Sequence, residues 1–287
     1  MRIDEIYKTK KQVLSFEIYP PKRDTTLTSI DETLQVLCGL KPDFISVTFG
    51  AGGSTTNSLT VNLAKKIKRE YGIEPVVHLT CINYDHNEIL AFTDELAEAG
   101  IENVLALRGD RNPDIEPKKE FFYASELVAF LKEQRGNLCI GGACYPEGHT
   151  EASDKVTDIH NLKKKVDAGA DFLVSQLFFD NEMYYSFREK MRIADISRPV
   201  SAGIMPVINR AQIERMVSLC GASLPEKFRR ILMKYENDRE ALFDAGMAYA
   251  VNQIVDLLAN EAEGIHIYTM NNPAVAKRIC DSIRHLI

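Results

Sequence analysis

Short apolar, β-branched runs recur eight times along the chain. They are VLSFEIYPP (13–21), DFISVTFG (43–50), PVVHLTCI (75–82), NVLALRGD (103–110), LCIGGACYP (138–146), DFLVSQLFF (171–179), PVSAGIMPV (199–207) and GIHIYTMN (264–271). Between them apolar positions take helical spacing, near Ser29–Leu40, Leu59–Tyr71, His86–Ala99, Phe121–Gln134, Ser153–Gly169 and Asn181–Ala194. A short amphipathic helix with Ile3, Ile6 and Tyr7 on one face is predicted ahead of the first run. Such alternation implies parallel strands joined by crossover helices. Eight units in 287 residues predict an α/β fold, a closed (β/α)8 TIM barrel. The seventh and eighth runs are separated by three helical patterns, Arg210–Cys220, Pro225–Lys234 and Arg239–Asn260. One of these must be the barrel helix, and the others are extra helices near the mouth. Ala274–Leu286 supplies the last helix. No repeat or linker interrupts the pattern, so residues 1–287 read as one barrel domain.

In a barrel of this kind the active site lies at the carboxyl ends of the strands. The polar residues there are Glu17, Thr48, His78, Arg108 with Asp110, Tyr145, Gln176 and Asn271. Glu17 stands between Phe16 and Ile18, so if those two pack outward, the carboxylate points into the barrel. An acid there is poorly solvated, and its pKa is expected to rise toward the range of a general acid. A surface carboxylate at a strand edge is the competing reading. His78 and Thr80 face inward if Val77 and Leu79 face outward, although a lone strand histidine is commonly a core residue. Arg108-Gly109-Asp110 puts a cation, a flexible residue and an anion at one strand end, which also suits a local ion pair. The loop from Gly50 to Thr56 has the glycines to present N–H groups to a phosphate, or merely to turn sharply. Lys163-Lys164-Lys165, with Asp158 and Asn161, reads as a solvated helical face.

Composition narrows the classes. A hydrophobic content of 45% supports a sizeable core, and a net charge of −6 lacks the basic excess of a nucleic-acid binder. The first twelve residues have no apolar signal region, and no run is long enough to span a membrane, so a cytoplasmic protein is expected. The six cysteines form no CxxC pair and read as buried free thiols. No strand run contains a lysine for Schiff-base chemistry, and no HExxH, GxGxxG or GxSxG is present. Neither a metal site nor a Rossmann module is therefore indicated.

Taken in order, SFEIYPPK (15–22), FISVTFGAGGST (44–55), HLTC (78–81), ALRGD (106–110), YPEGH (145–149), NLKKKVDAGAD (161–171), QLFFD (176–180), GIMPV (203–207) and YTMN (268–271) resemble methylenetetrahydrofolate reductase. The resemblance runs from the first strand to the last and fits the compact bacterial form, which lacks a carboxy-terminal regulatory domain. It implies an FAD-dependent barrel that uses NADH or NADPH to reduce 5,10-methylenetetrahydrofolate to 5-methyltetrahydrofolate, the methyl donor for methionine biosynthesis. By the same resemblance Glu17 is the general acid, Asp110 the carboxylate near flavin and folate, and Gln176 a substrate contact. Thr48, Phe49, Ala51, His78, Arg108, Gly109, Asp110, Tyr123, Ala124, Tyr145, His149, Ala152, Asp158, Asn161, Lys164 and Lys165 match positions around FAD. The lysine run then becomes a diphosphate contact. Two positions depart from the family pattern. Arg210 stands where relatives often carry a phenylalanine over the nicotinamide or folate, and Asn272 where some carry an arginine for the folate tail. The expected partners are small molecules, with no nucleic acid or membrane, in a homo-oligomer with room for an accessory subunit. The competing functions are a flavin-free lyase or transferase acting on a phosphorylated substrate, and a non-catalytic barrel subunit.

Overall fold

The computed structural model describes residues 1–20, 27–49, 54–111 and 116–287, without the side chains of 27–29 and 54–57. Eight parallel strands close into a barrel in chain order: β1 (Val13–Ile18), β2 (Phe44–Val47), β3 (Glu74–Thr80), β4 (Asn103–Leu107), β5 (Cys139–Cys144), β6 (Phe172–Ser175), β7 (Val200–Ile204) and β8 (Gly264–Tyr268). β8 pairs back onto β1, with Glu17 opposite Tyr268 on one side and opposite Ser46 of β2 on the other. The helices are α1 (Ile3–Thr9), α2 (Leu27–Gly39), α3 (Ser54–Tyr71), α4 (His86–Glu98), α5 (Ala124–Gln134), α6 (Lys155–Asp167), α7 (Asn181–Ile193), α8 (Arg210–Cys220), α9 (Glu226–Tyr235), α10 (Arg239–Ala259) and α11 (Pro273–Ile283). None of the described helices is long and apolar enough to cross a membrane.

Alternation along the strands separates two cores. Phe16, Ile18, Ile45, Val47, Val77, Leu79, Val104 and Ala106 pack outward in one cluster with the helices. Val13, Phe44, Val76, Leu105, Cys139, Phe172 and Val174 fill the interior together with Ile3 and Ile6 of α1. The amino-terminal helix thus plugs the bottom of the barrel, and the Tyr7 hydroxyl meets Ser201 Oγ at 2.6 Å. An apolar floor below leaves the polar inward residues at the carboxyl ends as the lining of the mouth.

Of the three helices before β8, α10 is the barrel helix, since Met247, Ala250, Ile254 and Leu257 join the outer cluster. Ile213 of α8 and Phe228 and Leu232 of α9 form a third cluster with Leu177, Phe179, Met205 and Val207, above the ends of β6 and β7. Several boundaries differ from the sequence pattern: α3 begins at Ser54 rather than near Leu59, and two others have a local cause. α5 begins at Ala124 rather than Phe121, because the Glu126 carboxylate accepts from the main-chain N–H groups of Phe122 and Tyr123 and holds them before the first turn. β6 stops at Ser175 although the apolar run continues, because Leu177 and Phe179 leave the sheet to pack under α8 and α9. The six cysteines are free thiols, four buried as expected and Cys220 and Cys280 partly exposed.

Candidate active site

With Phe16 and Ile18 in the outer core, Glu17 faces the barrel interior. Its main chain is pinned from β8 and the residues after it. Thr269 Oγ1 donates to the Glu17 carbonyl at 2.7 Å, and the Asn271 side chain brackets Tyr19, accepting from its N–H at 3.0 Å and donating to its carbonyl at 2.8 Å. Asn271, read from sequence as a chemical candidate, is therefore a structural staple. Two histidines converge on the carboxylate: His78 Nε2 of β3 lies 3.5 Å from Glu17 Oε2, and His266 Nε2 of β8 lies 3.8 Å from it. Both nitrogens are buried without a hydrogen-bond partner, as is Ser46 Oγ on β2.

The expectation that burial raises the Glu17 pKa is overturned. Burial does push the carboxyl up, but attraction to His266 and then to His78 outweighs it and holds the group below its usual range. Burial also pushes His78 down, against the pull of Glu17. The two shifts run in the same sense: Glu17 and His78 each hold a proton less tightly than the free side chains would. Groups this close titrate together.

A second set of side chains gathers beyond the carboxyl ends of β4 and β5 and on α6. Arg108 grips Glu151 with two bonds of 2.6 and 2.7 Å, which drives the Glu151 carboxyl down to about 2. Gly109 has a φ of 88°, and an added Cβ would come within 3.0 Å of Thr80, so the turn that aims exposed Asp110 needs glycine. Tyr145 and His149 meet edge to face at 4.6 Å, and Glu151 N–H donates to His149 Nδ1 at 3.1 Å. Asp158 is buried at the start of α6, which raises its pKa despite the nearby main chain of His149 and the charges of His149 and Lys165. Lys165 runs along Gly142, donates from Nζ to the Ala143 carbonyl at 2.6 Å, and is held below the usual lysine range by burial. Asn161 and Lys164 are exposed, and Lys163 pairs with Asp167. The lysine run is thus not one solvated face.

Other candidates are placed less simply. Thr48 and Ala152 are half-buried, and Tyr123 and Ala124 stand at the start of α5, with Tyr123 exposed. The Phe49 ring packs outward on Tyr84 and Phe92, so it does not line the mouth. Ala51, with the glycines of the Gly50–Gly53 loop, lies outside the described residues. Gln176 accepts from Leu177 N–H through its own Oε1 at 2.9 Å. Arg210 does not cover the mouth: it is the first residue of α8 and turns to Glu214 and Glu236. The α8 side chains that line the crevice beside Tyr268 are Gln212, Ile213 and Met216. Asn272 caps α11, its side chain accepting from Ala274 N–H. Sequence reasoning passed over Ser15, Ser46, His266 and Tyr268. The alternation that exposed Glu17 would have found them, because Leu14 and Phe16, Ile45 and Val47, and Ile265 and Ile267 face outward.

A model of the family described as methylenetetrahydrofolate reductase matches residues 2–284. The chain belongs to that family. It is 33% identical over 270 residues to the 5,10-methylenetetrahydrofolate reductase of Pectobacterium carotovorum, covering 94% of this chain and 89% of that one. It is 34% identical to the Escherichia coli protein of the same name, with coverages of 94% and 90%. Against methylenetetrahydrofolate reductase 1 of Schizosaccharomyces pombe the identity is 33%, and the match spans 96% of this chain but 46% of that one. Among solved structures, an uncharacterized Clostridium thermocellum protein that binds two copies of 5-methyl-5,6,7,8-tetrahydrofolic acid superposes with a TM-score of 0.67 at 13% identity, over 99% and 100% of the two chains. That likeness concerns the fold. Membership of a reductase family makes the protein an oxidoreductase of folate one-carbon chemistry, and the non-catalytic barrel falls away.

Proposed function

We propose that the barrel reduces 5,10-methylenetetrahydrofolate to 5-methyltetrahydrofolate, with FAD as its bound cofactor and NADH or NADPH as the electron source. Family membership supports the reaction, and the single observation that carries the mechanism is the inward carboxylate of Glu17 at the polar mouth. FAD, when bound, would accept a hydride from the pyridine nucleotide and pass it to the folate. The residues present fit such a group. Lys165 is a part-buried cation without an ion pair among the described residues, and with His149 and Lys164 it gives one side of the mouth the donors that a diphosphate needs, while Arg108 would join them by releasing Glu151. Asp110 and Tyr123 stand exposed at the ends of the same segment and can approach a flat ring system.

The folate's methylene bridge must open before it can be reduced, and opening leaves an amine that takes up a proton. Glu17 supplies that proton from Oε2. In the free protein its carboxyl side chain is 22% exposed, and closing folate over it removes that water. Further burial favours the neutral acid, so substrate binding itself would shift Glu17 toward the protonated form. Gln176, beside Ser175 at the end of β6, holds the pterin, and Tyr268, fixed by a 2.7 Å bond from its hydroxyl to the Ser175 carbonyl, walls the same space. The test is reconstitution. Purified protein should bind added FAD non-covalently, show flavin absorption and release FAD on heating. Failure to bind FAD would remove this reading in favour of the flavin-free lyase or transferase.

A further inference from the structure

His266 lies at the centre of the barrel with its ring fully buried. One nitrogen, Nδ1, meets Ser15 Oγ at 2.8 Å, and the other, Nε2, looks at Glu17 Oε2 across 3.8 Å with no partner of its own. Phe44 stacks on the ring at 6.0 Å, and Tyr268 meets it edge-on at 5.2 Å. The partner of Nδ1 is a hydroxyl that also donates to the Ile265 carbonyl at 3.3 Å, so its oxygen accepts from Nδ1–H. Nδ1 is thus satisfied whether or not Nε2 carries a proton, and a bare Nε2 would set its lone pair against the Glu17 carboxylate. His78 presents Nε2 to the same oxygen, but burial favours its neutral form. The groups that face Glu17 are thus Ser46 of β2, His78 of β3, and His266 and Tyr268 of β8, and the Tyr268 phenol is already committed to Ser175.

We infer that His266, held by Ser15, is a positioning residue that stores the proton Glu17 delivers to the folate. In the open protein the pair is carboxylate and imidazolium. When folate closes the mouth, the charged pair loses its water. The proton then crosses: the His266 Nε2–H bond breaks and the Glu17 Oε2–H bond forms, leaving two neutral groups. Glu17 then gives that proton to the departing amine, forming its N–H bond, and the cluster is reloaded from solvent once product leaves. No electron is moved in these steps.

The inference rests on Glu17 being the acid, and the experiment separates the two. The rate of folate reduction by the pre-reduced holoenzyme is measured anaerobically, in single turnovers, across pH 5 to 9 for wild type, His266→Gln, Ser15→Ala and Glu17→Gln. In the wild type the alkaline limb marks loss of the shared proton from the pair. Without His266, Glu17 must keep its own proton, so the limb should move to lower pH by about one unit or more. Ser15→Ala should move it the same way by less, and should fold even if His266→Gln does not. In the ¹⁵N-histidine spectrum of the holoprotein, Glu17→Gln should move the His266 ring resonances. Limbs that stay in place or move upward, or a His266 spectrum indifferent to Glu17→Gln, would overturn the proton store while leaving Glu17 as the acid. Folate reduction undiminished in Glu17→Gln would overturn both.

Discussion

Replacing Lys165 with methionine keeps the length of the side chain and removes its charge. In the free protein the ammonium has one hydrogen bond, 2.6 Å to the Ala143 carbonyl, and no ion pair among the described residues, and burial holds its pKa below that of a free lysine. The folded amine therefore gives up its proton at a lower pH than the unfolded one. Below both values the burial penalty is fully present. Between them the unfolded chain binds more protons, so stability rises with pH up to about 10.4. Lys165→Met should abolish that contribution to the alkaline rise, seen as a flatter dependence of melting temperature on pH in calorimetry of the FAD-free protein. Cofactor binding should respond in the opposite sense. A charged hydrogen bond to a diphosphate is worth about 1.5–3 kcal/mol, so FAD should bind about 10- to 150-fold more weakly to the variant. Titration of the free protein with FAD, followed by quenching of flavin fluorescence, measures this directly. Unchanged FAD affinity would refute the assignment of Lys165 to the diphosphate, and an unchanged pH dependence would refute its burial as a cation.

Gly203→Ala tests the wall of the site. A Cβ there would lie 2.3 Å from the Ser175 carbonyl and 2.8 Å from the Tyr268 ring, so the variant should lose about 1–3 kcal/mol in denaturant unfolding and bind folate less tightly. Asp110→Asn removes an anion from the mouth and should raise the midpoint potential of bound flavin in a redox titration, whereas an unchanged potential would mean that Asp110 stays in solvent.

The barrel was legible because each strand repeats the same local rule, with apolar side chains outward and polar ones inward at the carboxyl end. Glu17 emerged from that rule, and His266 obeys it equally well in GIHIY. It was passed over because a single histidine between isoleucines looks like core until its neighbours are known. The direction of the Glu17 shift was not legible at all. Burial can be read from β1 alone, but the histidines that outweigh it come from β3 and β8 and meet only when the barrel closes. Arg210 was misplaced for a related reason. Counting from GIMPV gives its position along the chain but not its direction, and the Asn209 cap starts α8 so that Arg210 meets Glu236 while Met216 turns toward Tyr268. Lys165 shows the same limit, since charge alone cannot tell which of three adjacent lysines turns back onto β5.

The central claim is that Glu17 serves proton transfer to the folate and not electron entry. Anaerobic stopped-flow absorbance of the FAD-loaded protein separates the two halves. In Glu17→Gln, flavin reduction by NADH or NADPH should stay within about a few-fold of wild type, while reoxidation by methylenetetrahydrofolate should fall by about 100- to 10,000-fold, the usual worth of a general acid. Equal losses in both halves, or an intact folate half, would contradict it.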